Sequence, residues 1–294
     1  MSSYIKKLVN DNIIQPPSWL RDNVMFEGLT GSVSYGVSND TSDMDIVGFC
    51  IPPKEIIFPH LAGEIFGFGT QIQRFENYQQ HHIKYKEKEY DVCVYSIVKF
   101  FQLVMENNPN MVDALFLPRR CVLHSTQIYE HVRDNRNLFL HKGSWFKFRG
   151  YAYSQLSKIK NKPNSSNPKR QESIQKYGFD VKFAYHIVRL LLEVEQILAE
   201  GDLDIQRNSD VLKTIRAGEW TLTQIEEWFE NKEKSLETLY ANSIIPARPN
   251  EKKIKQLLME CLEMHYGSLN TVIQVAPEMS NLINDLTQLI EKYR

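Results

Sequence analysis

The chain changes its hydrophobic pattern once, and this change constrains the fold more than any other feature. Before about Asp113, short runs rich in Val, Ile, Tyr and Phe alternate with turns that contain Gly and Pro, which is typical of β-strands. After that point, long stretches repeat their apolar residues at helical spacing. The sequence therefore predicts an α/β fold with a sheet-forming part, residues 1–118, followed by an all-helical part, residues 119–294.

Six amphipathic helical patterns are predicted in the second part. The strongest one stops at Gly201, a residue suited to the left-handed backbone that ends many helices. Either Thr221 or Thr223 is expected to cap a helix ahead of Glu226 and Glu227. The six predicted helices cover residues 125–138, 144–160, 177–200, 223–242, 251–266 and 277–293.

Composition and charge limit the class of protein. The chain of 294 residues is long enough to bury a large core, and its formal net charge of -1 excludes a generally basic nucleic-acid coat but leaves room for a local basic groove. No signal peptide or membrane-spanning run is expected, and no CxxC pair occurs. We therefore expect a cytoplasmic protein with no membrane partner and with reduced, mostly buried thiols at Cys50, Cys93, Cys121 and Cys261.

Two aspartates, Asp43 and Asp45, open the apolar run DMDIVGF. On a strand, residues two apart point to the same face, so both carboxylates would project together. Such carboxylates repel each other unless a proton or a cation lies between them, and Mg²⁺ commonly takes one or two protein carboxylates together with phosphate and water. An Asp-x-Asp pair is also common in solvated turns, so the pair alone does not decide its role.

A Gly-Ser pair, Gly31 and Ser32, ends the preceding apolar run MFEGLT. Glycine lets the backbone come close to a ligand, and a serine hydroxyl with free amide groups can hold phosphate oxygens. Gly36 offers a second permissive turn. The order of these features predicts a phosphate-holding turn followed by a metal-holding pair, which is the chemistry of a nucleoside triphosphate site.

A third carboxylate would complete a site for two metal ions, and Asp91 in KEKEYDVCVYSI is the candidate. An Asp within an apolar strand is costly to bury unless it is paired or bound to metal. Glu89 lies on the same face of this predicted strand and stays open as the alternative. His81 and His82 are adjacent on a strand and should point in opposite directions, so we do not expect them to share a metal ion.

The stretch GSVSYGVSNDTSDMDIVGF, residues 31–49, resembles the signature of the DNA polymerase beta-type nucleotidyltransferase superfamily, which is Gly-Ser, a short spacer and Asp-x-Asp. More narrowly, the chain is similar to a group of bacterial and phage nucleotidyltransferases described as RNA-ligase-associated. That group's later motifs match IPP at 51–53, VKFFQLVMENNPNMVDALFLP at 98–118 and YHIVRLLLE at 185–193. The resemblance covers residues 25–218.

This resemblance implies a two-layer α/β nucleotidyltransferase core with a short mixed sheet, and a helical region that completes the substrate cleft. It implies transfer of a nucleoside monophosphate from a triphosphate such as ATP, with two Mg²⁺ ions, for which Mn²⁺ can substitute, and release of pyrophosphate. An RNA end is the first choice of acceptor, a small-molecule hydroxyl the second and a protein the third. The implied catalytic and metal-binding residues are Asp43, Asp45 and Asp91, and the implied nucleotide-binding residues include Gly31, Ser32, Tyr35 and Gly36.

Two features of the second part each allow two interpretations. Lys182, His186, Arg189 and Glu193 form one helical stripe, which either binds a triphosphate or acceptor phosphate or is a solvated face with an Arg189–Glu193 pair. The first three are our further candidates for nucleotide binding. The basic stretch 160–173 is either a linker or a loop that closes over a phosphate. A non-catalytic nucleotide-binding module and a helical interaction protein stay as other interpretations of the chain.

Overall fold

The computed structural model describes residues 3–38, 43–58, 74–161 and 168–267. The predicted turn at 39–42, much of the basic stretch 160–173 and the predicted helix at 277–293 therefore lie outside the described residues. Within the described residues, five strands form one sheet: β1 (Val24–Leu29), β2 (Met44–Cys50), β3 (Asn77–Tyr85), β4 (Lys88–Ser96) and β5 (Val122–Ser125).

The strands lie in the order β3-β4-β2-β1-β5, and the sheet is mixed. Strands β2 and β4 pair in parallel, whereas the other three pairings are antiparallel. Parallel pairing brings the first residues of β2 and β4 to the same edge of the sheet, and it places Asp45 directly opposite Asp91. The predicted α/β class with a short mixed sheet is confirmed.

Strand β4 shows how the sequence pattern places the functional face. Its residues Tyr90, Val92 and Val94 are buried, whereas Asp91 and Cys93 between them are only half-buried. This alternation follows from the two-residue period of a strand, which sends successive side chains to opposite faces. The polar face of β4 is therefore available to line a cavity, as the sequence predicts.

The α-helices of the described residues are bounded as follows: α1 (Tyr4–Asn10), α2 (Gly31–Ser34), α3 (Lys54–Ile57), α4 (Ile97–Met105), α5 (Pro109–Leu115), α6 (Gln127–Asp134), α7 (Ser144–Asn161), α8 (Pro168–Tyr177), α9 (Val181–Glu200), α10 (Ser209–Arg216), α11 (Leu222–Asn242) and α12 (Glu251–Tyr266). Helix α9 organises the second part of the chain, because α7, α8, α10 and α11 all pack against it.

Three predicted helix boundaries differ from the structure by more than one residue. The helix predicted over 125–138 ends at Asp134, and a separate 3₁₀ turn covers Arg136–Phe139. The strongest predicted helix begins at Val181 rather than at 177, because Gly178 takes a φ of +82° and Asp180 caps the new helix through the N–H of Lys182. Residues 168–177 form the separate helix α8, so the last part of the predicted basic loop, residues 168–173, is helical. Helix α6 begins at Gln127 rather than at 125, because Ser125 pairs with Phe26 in the sheet and Thr126 caps the helix by accepting from the N–H of Tyr129.

One large hydrophobic core joins the sheet to the helices, and a smaller one lies between α1 and the sheet. In the large core, Phe26 of β1 stacks on Tyr129 of α6 with ring centroids 4.1 Å apart.

All four cysteines have free thiols and three are buried, as predicted. No helix in the described parts of the chain is both long and apolar enough to cross a bilayer. The division of the chain into a sheet-forming part and a helical part between residues 118 and 119 stays a prediction. Strand β5 belongs to the sheet but lies after this division, at Val122–Ser125.

Candidate active site

The Gly31 turn connects β1 to the one-turn helix α2 and lies against β2. The N–H of Thr30 donates to the carbonyl of Asp45 across 2.8 Å, which fixes the turn to the start of β2. Gly31 has a φ of +65°, and a Cβ atom added there would lie 2.1 Å from Oδ2 of Asp45. The turn therefore needs glycine both for its backbone conformation and for the close approach of a carboxylate.

The carboxylates of Asp43, Asp45 and Asp91 act on one another electrostatically. Asp45 faces Asp91 across the parallel pair, and Asp43 immediately precedes β2. Burial raises the pKa of the Asp45 carboxyl, the Lys182 ammonium opposes this rise, and the Asp91 and Asp43 carboxylates add to it. A cation bound beside Asp45 would favour its ionised carboxylate.

A β-bulge in β3 holds Asp91. The register moves from Gln80 opposite Val92 to Ile83 opposite Tyr90, so two residues, His81 and His82, lie opposite the single residue Asp91. The backbone N–H of His82 donates to Oδ1 of Asp91 at 2.8 Å, and Nδ1 of His81 lies 3.3 Å from Oδ2.

The bulge breaks the strand alternation that the sequence argument assumes for the two histidines. His82 has a φ of +56°, so the two side chains do not simply alternate. His81 lines the same cavity as Asp45 and Asp91, whereas the His82 ring pairs with Glu89. Glu89 is not among the residues that line this cavity, which favours Asp91 over Glu89 as the third acid. His81 is a site residue that the sequence argument missed.

A cavity of ≈ 260 Å³ is lined by Asp45, Asp91 and His81, whereas Asp43 is not among its described lining residues. Helices from both parts of the chain close it, through Asn110 and Met111 at the start of α5 and through His186 of α9. Ser32 and Gly36, both predicted to bind nucleotide, are not among the described lining residues. The lining residues are Thr30, Gly31, Tyr35, Asp45, Ile46, Val47, His81, Asp91, Val92, Cys93, Tyr95, Asn110, Met111 and His186.

The predicted stripe on α9 runs from the cavity rim into the protein interior. Lys182 is exposed and close enough for its charge to act on Asp45. Burial holds the pKa of His186 well below its usual range, and the Arg189 and Lys182 cations lower it further, so its imidazole is neutral. Nδ1 of His186 is buried without a hydrogen-bond partner in the described structure, so this side chain has unused capacity to bond at the cavity wall.

Arg189 lies beneath the cavity wall rather than on it. Its side chain is 1 % exposed and is paired with Asp113 of α5 and with Glu193, at 3.0 Å. Its guanidinium also lies over the Tyr35 ring, 4.2 Å from the centroid, and the Tyr35 hydroxyl donates to Asp113 at 2.6 Å. With its charge already shared by two buried carboxyls, Arg189 supports the turn that carries Tyr35, which differs from the direct nucleotide contact that we predicted.

A family model accounts for this combination of sheet, turn and acids. The model of the RNA repair pathway DNA polymerase beta family matches residues 6–270, which span the sheet, the acid cluster and nearly all described helices. The chain belongs to this family. It is accordingly a nucleotidyltransferase with a DNA polymerase beta-like core, and the resemblance seen in the sequence is confirmed.

The comparisons with solved structures and with curated proteins add little to this assignment. Among solved structures, a nucleotidyltransferase-like protein from Exiguobacterium sibiricum shares 9% sequence identity, with a TM-score of 0.30, over 98% of this chain and 89% of that one. The search of curated proteins finds no match.

The carboxylates in and beside the cavity are the candidate metal ligands of this family member. Within the described ranges, no group of three or more His, Cys, Asp or Glu side chains forms a ready-made metal site. The facing pair Asp45 and Asp91 offers hard oxygen ligands, and Mg²⁺ typically completes such a pair with water and substrate phosphate. The donor set therefore fits Mg²⁺ bound together with a nucleotide.

Proposed function

We propose that the protein is a Mg²⁺-dependent nucleotidyltransferase that moves a nucleoside monophosphate from a triphosphate to an acceptor hydroxyl and releases pyrophosphate. One observation carries this proposal. Asp45 and Asp91 face each other in register at one end of a cavity whose wall is the Gly31 turn. Carboxylates beside a turn that admits close backbone approach suit metal-assisted phosphoryl chemistry.

Each element of the site has a distinct part in this reaction. When bound, Mg²⁺ supplies charge neutralisation on the triphosphate and a more acidic acceptor hydroxyl. Asp43, Asp45 and Asp91 would hold the ions, of which we expect two, with Mn²⁺ as a substitute. The Gly31 turn lines the cavity and would bring its backbone close to the phosphate oxygens, and Lys182 adds a positive charge at the rim. Catalysis then rests on positioning and charge, which is how this class of transfer is accelerated.

An RNA end is the acceptor that we propose. The support is the family's own description, which places its members in RNA repair. ATP is the first nucleotide to test. A small-molecule hydroxyl and a protein side chain are the other acceptors that a labelling experiment can reveal.

The proposal is tested by incubating the protein with each α-³²P-labelled nucleoside triphosphate, Mg²⁺ and a pool of small RNAs, resolved on a denaturing gel. We expect label on RNA, and its loss in the Asp43→Asn/Asp45→Asn variant. The matched control is Asp22→Asn/Asp202→Asn, which removes two half-exposed carboxylates that are not among the residues lining the cavity.

The outcomes separate the parts of the proposal. Label on a protein or a small molecule that depends on the aspartates would keep the chemistry and reject the RNA acceptor. Transfer that persists at full rate in the double variant would reject the assigned acids. No transfer to any acceptor would favour a non-catalytic nucleotide-binding module.

A further inference from the structure

A second cavity of ≈ 440 Å³ lies on the other side of the segment that carries the Gly31 turn. Gly31 and Tyr35 line the first cavity, whereas the next residues, Gly36, Val37 and Ser38, line the second. The remaining walls of the second cavity come from α8, α9 and α10 and from Ala217. One short segment therefore separates the two cavities.

The two cavities carry opposite charge. The second is lined by three cationic side chains, Lys176, Lys213 and Arg216, and by one acidic side chain, Glu172. It contains none of the aspartates of the first cavity. Tyr177, half-buried beside Lys176, adds an aromatic ring to the wall. Cations next to an aromatic surface are the combination with which proteins bind single-stranded nucleic acid.

Two of the three cations lie at the surface, and the Lys176 ammonium lies over the Tyr177 ring of the same wall, 4.9 Å from its centroid. Lys176 and Lys213 are exposed, and the pair that Lys213 forms with Asp210 at 3.0 Å lies at the surface, where such pairs contribute little. Arg216 is the fixed cation, since it donates to the carbonyl of Val37 at 2.6 Å and packs over the Tyr185 ring. The basic wall is therefore anchored to the segment that it shares with the first cavity.

We propose that this second cavity binds the phosphate backbone of a single-stranded RNA acceptor, just upstream of the end that enters the first cavity. This inference rests on the proposed function. The reacting triphosphate has to lie against Asp45 and Asp91, which are on the far side of the segment. A cavity without these acids suits phosphates that are held but do not react, and two lysines and an arginine match their charge.

The test measures binding apart from transfer. Fluorescence anisotropy of a short fluorescein-labelled oligouridylate, over a series of salt concentrations, gives the affinity for RNA; calorimetry with ATP and Mg²⁺ gives the affinity for nucleotide. In Lys176→Ala/Lys213→Ala we expect RNA affinity about tenfold or more below that of the wild type. The salt slope should fall by about 0.7 for each phosphate that the variant no longer neutralises. The affinity for ATP should stay within about twofold, because neither lysine lines the first cavity.

Two further variants serve as controls. Lys252→Ala/Lys253→Ala removes the same charge from α12, which lines neither cavity, and should keep RNA affinity. Lys176→Arg/Lys213→Arg keeps the charge and should restore binding. Thermal unfolding of each variant confirms that it is folded.

Each possible result of these measurements either supports or overturns the inference. Weaker ATP binding with unchanged RNA binding would overturn the inference and assign the cavity to the triphosphate. A folded double alanine variant with unchanged affinity for both ligands would also overturn it, as would a wild-type protein that transfers nucleotide but binds no RNA. Lysine-dependent RNA binding without any transfer would support the inference while rejecting the proposed function.

Discussion

The two cavities on either side of the Gly31 segment are built by different means. The first takes its acids from neighbouring strands in register, and beneath it the buried Arg189 network fixes the wall. The second takes its cations from the ends of α8 and α10, where the side chains are largely exposed. Strand register and buried ion pairs hold side chains in defined positions, whereas exposed lysines supply positive charge but can adopt several conformations. The first arrangement suits catalysis, and the second suits binding of the phosphate backbone of an RNA strand.

The largest expected effect comes from Asp45, the acid that joins the turn to the sheet. We expect Asp45→Asn to lower the transfer rate by about a thousandfold or more, because the site loses a ligand for charge neutralisation. Burial already raises the pKa of this carboxyl, so a neutral amide there should leave the unfolding temperature unchanged or higher. Single-turnover transfer and calorimetric unfolding check both statements; a variant that is both inactive and unfolded would contradict the second.

The next effect tests whether the buried network supports the first cavity. We expect Arg189→Gln to lower the free energy of unfolding by about 3 kcal/mol or more, because two buried carboxyls lose their cation. The control Arg207→Gln removes an exposed pair with Glu200 and should leave the free energy of unfolding nearly unchanged. Urea titration measures both. A normal stability with a raised KM for nucleotide would instead make Arg189 a direct substrate ligand.

A smaller effect tests the close approach at the turn. Gly31→Ala should cost about 1–3 kcal/mol of stability and reduce transfer, because alanine is strained at a φ of +65° and its Cβ would collide with the Asp45 carboxylate. The control is Gly150→Ala in α7, where a Cβ meets nothing within 4 Å and helix propensity improves. Equal unfolding temperatures for the two variants would show that the turn has room to relax.

The smallest effect concerns the bulge. His81→Ala should lower kcat/KM about tenfold, because Asp91 loses a partner that orients it. His82→Ala keeps the backbone N–H that bonds Asp91 and removes only a ring paired with Glu89, so its kcat/KM should stay within about twofold. Steady-state kinetics on the two variants compares them directly. A larger loss of kcat/KM in His82→Ala than in His81→Ala would show that His82, and not His81, supports Asp91.

Local pattern was enough to predict the parts of the site that depend on a few neighbouring residues. The glycine turn, the paired aspartates and the alternating face of β4 all follow from spacing along the chain, and the structure brings Asp45 and Asp91 into one cavity. The roles assigned to these residues stay predictions until transfer is measured.

The features that the sequence did not predict depend on residues far apart in the chain or on a break in the two-residue period of a strand. Arg189 looked like a surface cation because Asp113, its second partner, lies 76 residues away in sequence. The sequence argument considered His81 only as a metal partner of His82 and assumed that the two alternate on a strand. A β-bulge breaks that two-residue period between Gln80 and Ile83, and the sequence carries no clear sign of it. The second cavity joins cations from separate helices, a grouping that only the folded chain produces.

The wall between the cavities also has a consequence for how the chain acquires its site during synthesis. The carbonyl of Ser34 is bonded by Gln206, and that of Val37 by Arg216, partners 172 and 179 residues later. The strands and their acids can pair as soon as β4 has emerged, but the turn that should hold the phosphates lacks these two supports until α10 has been made. Contacts of such long sequence separation form late, so the acids are in place before the wall beside them is complete.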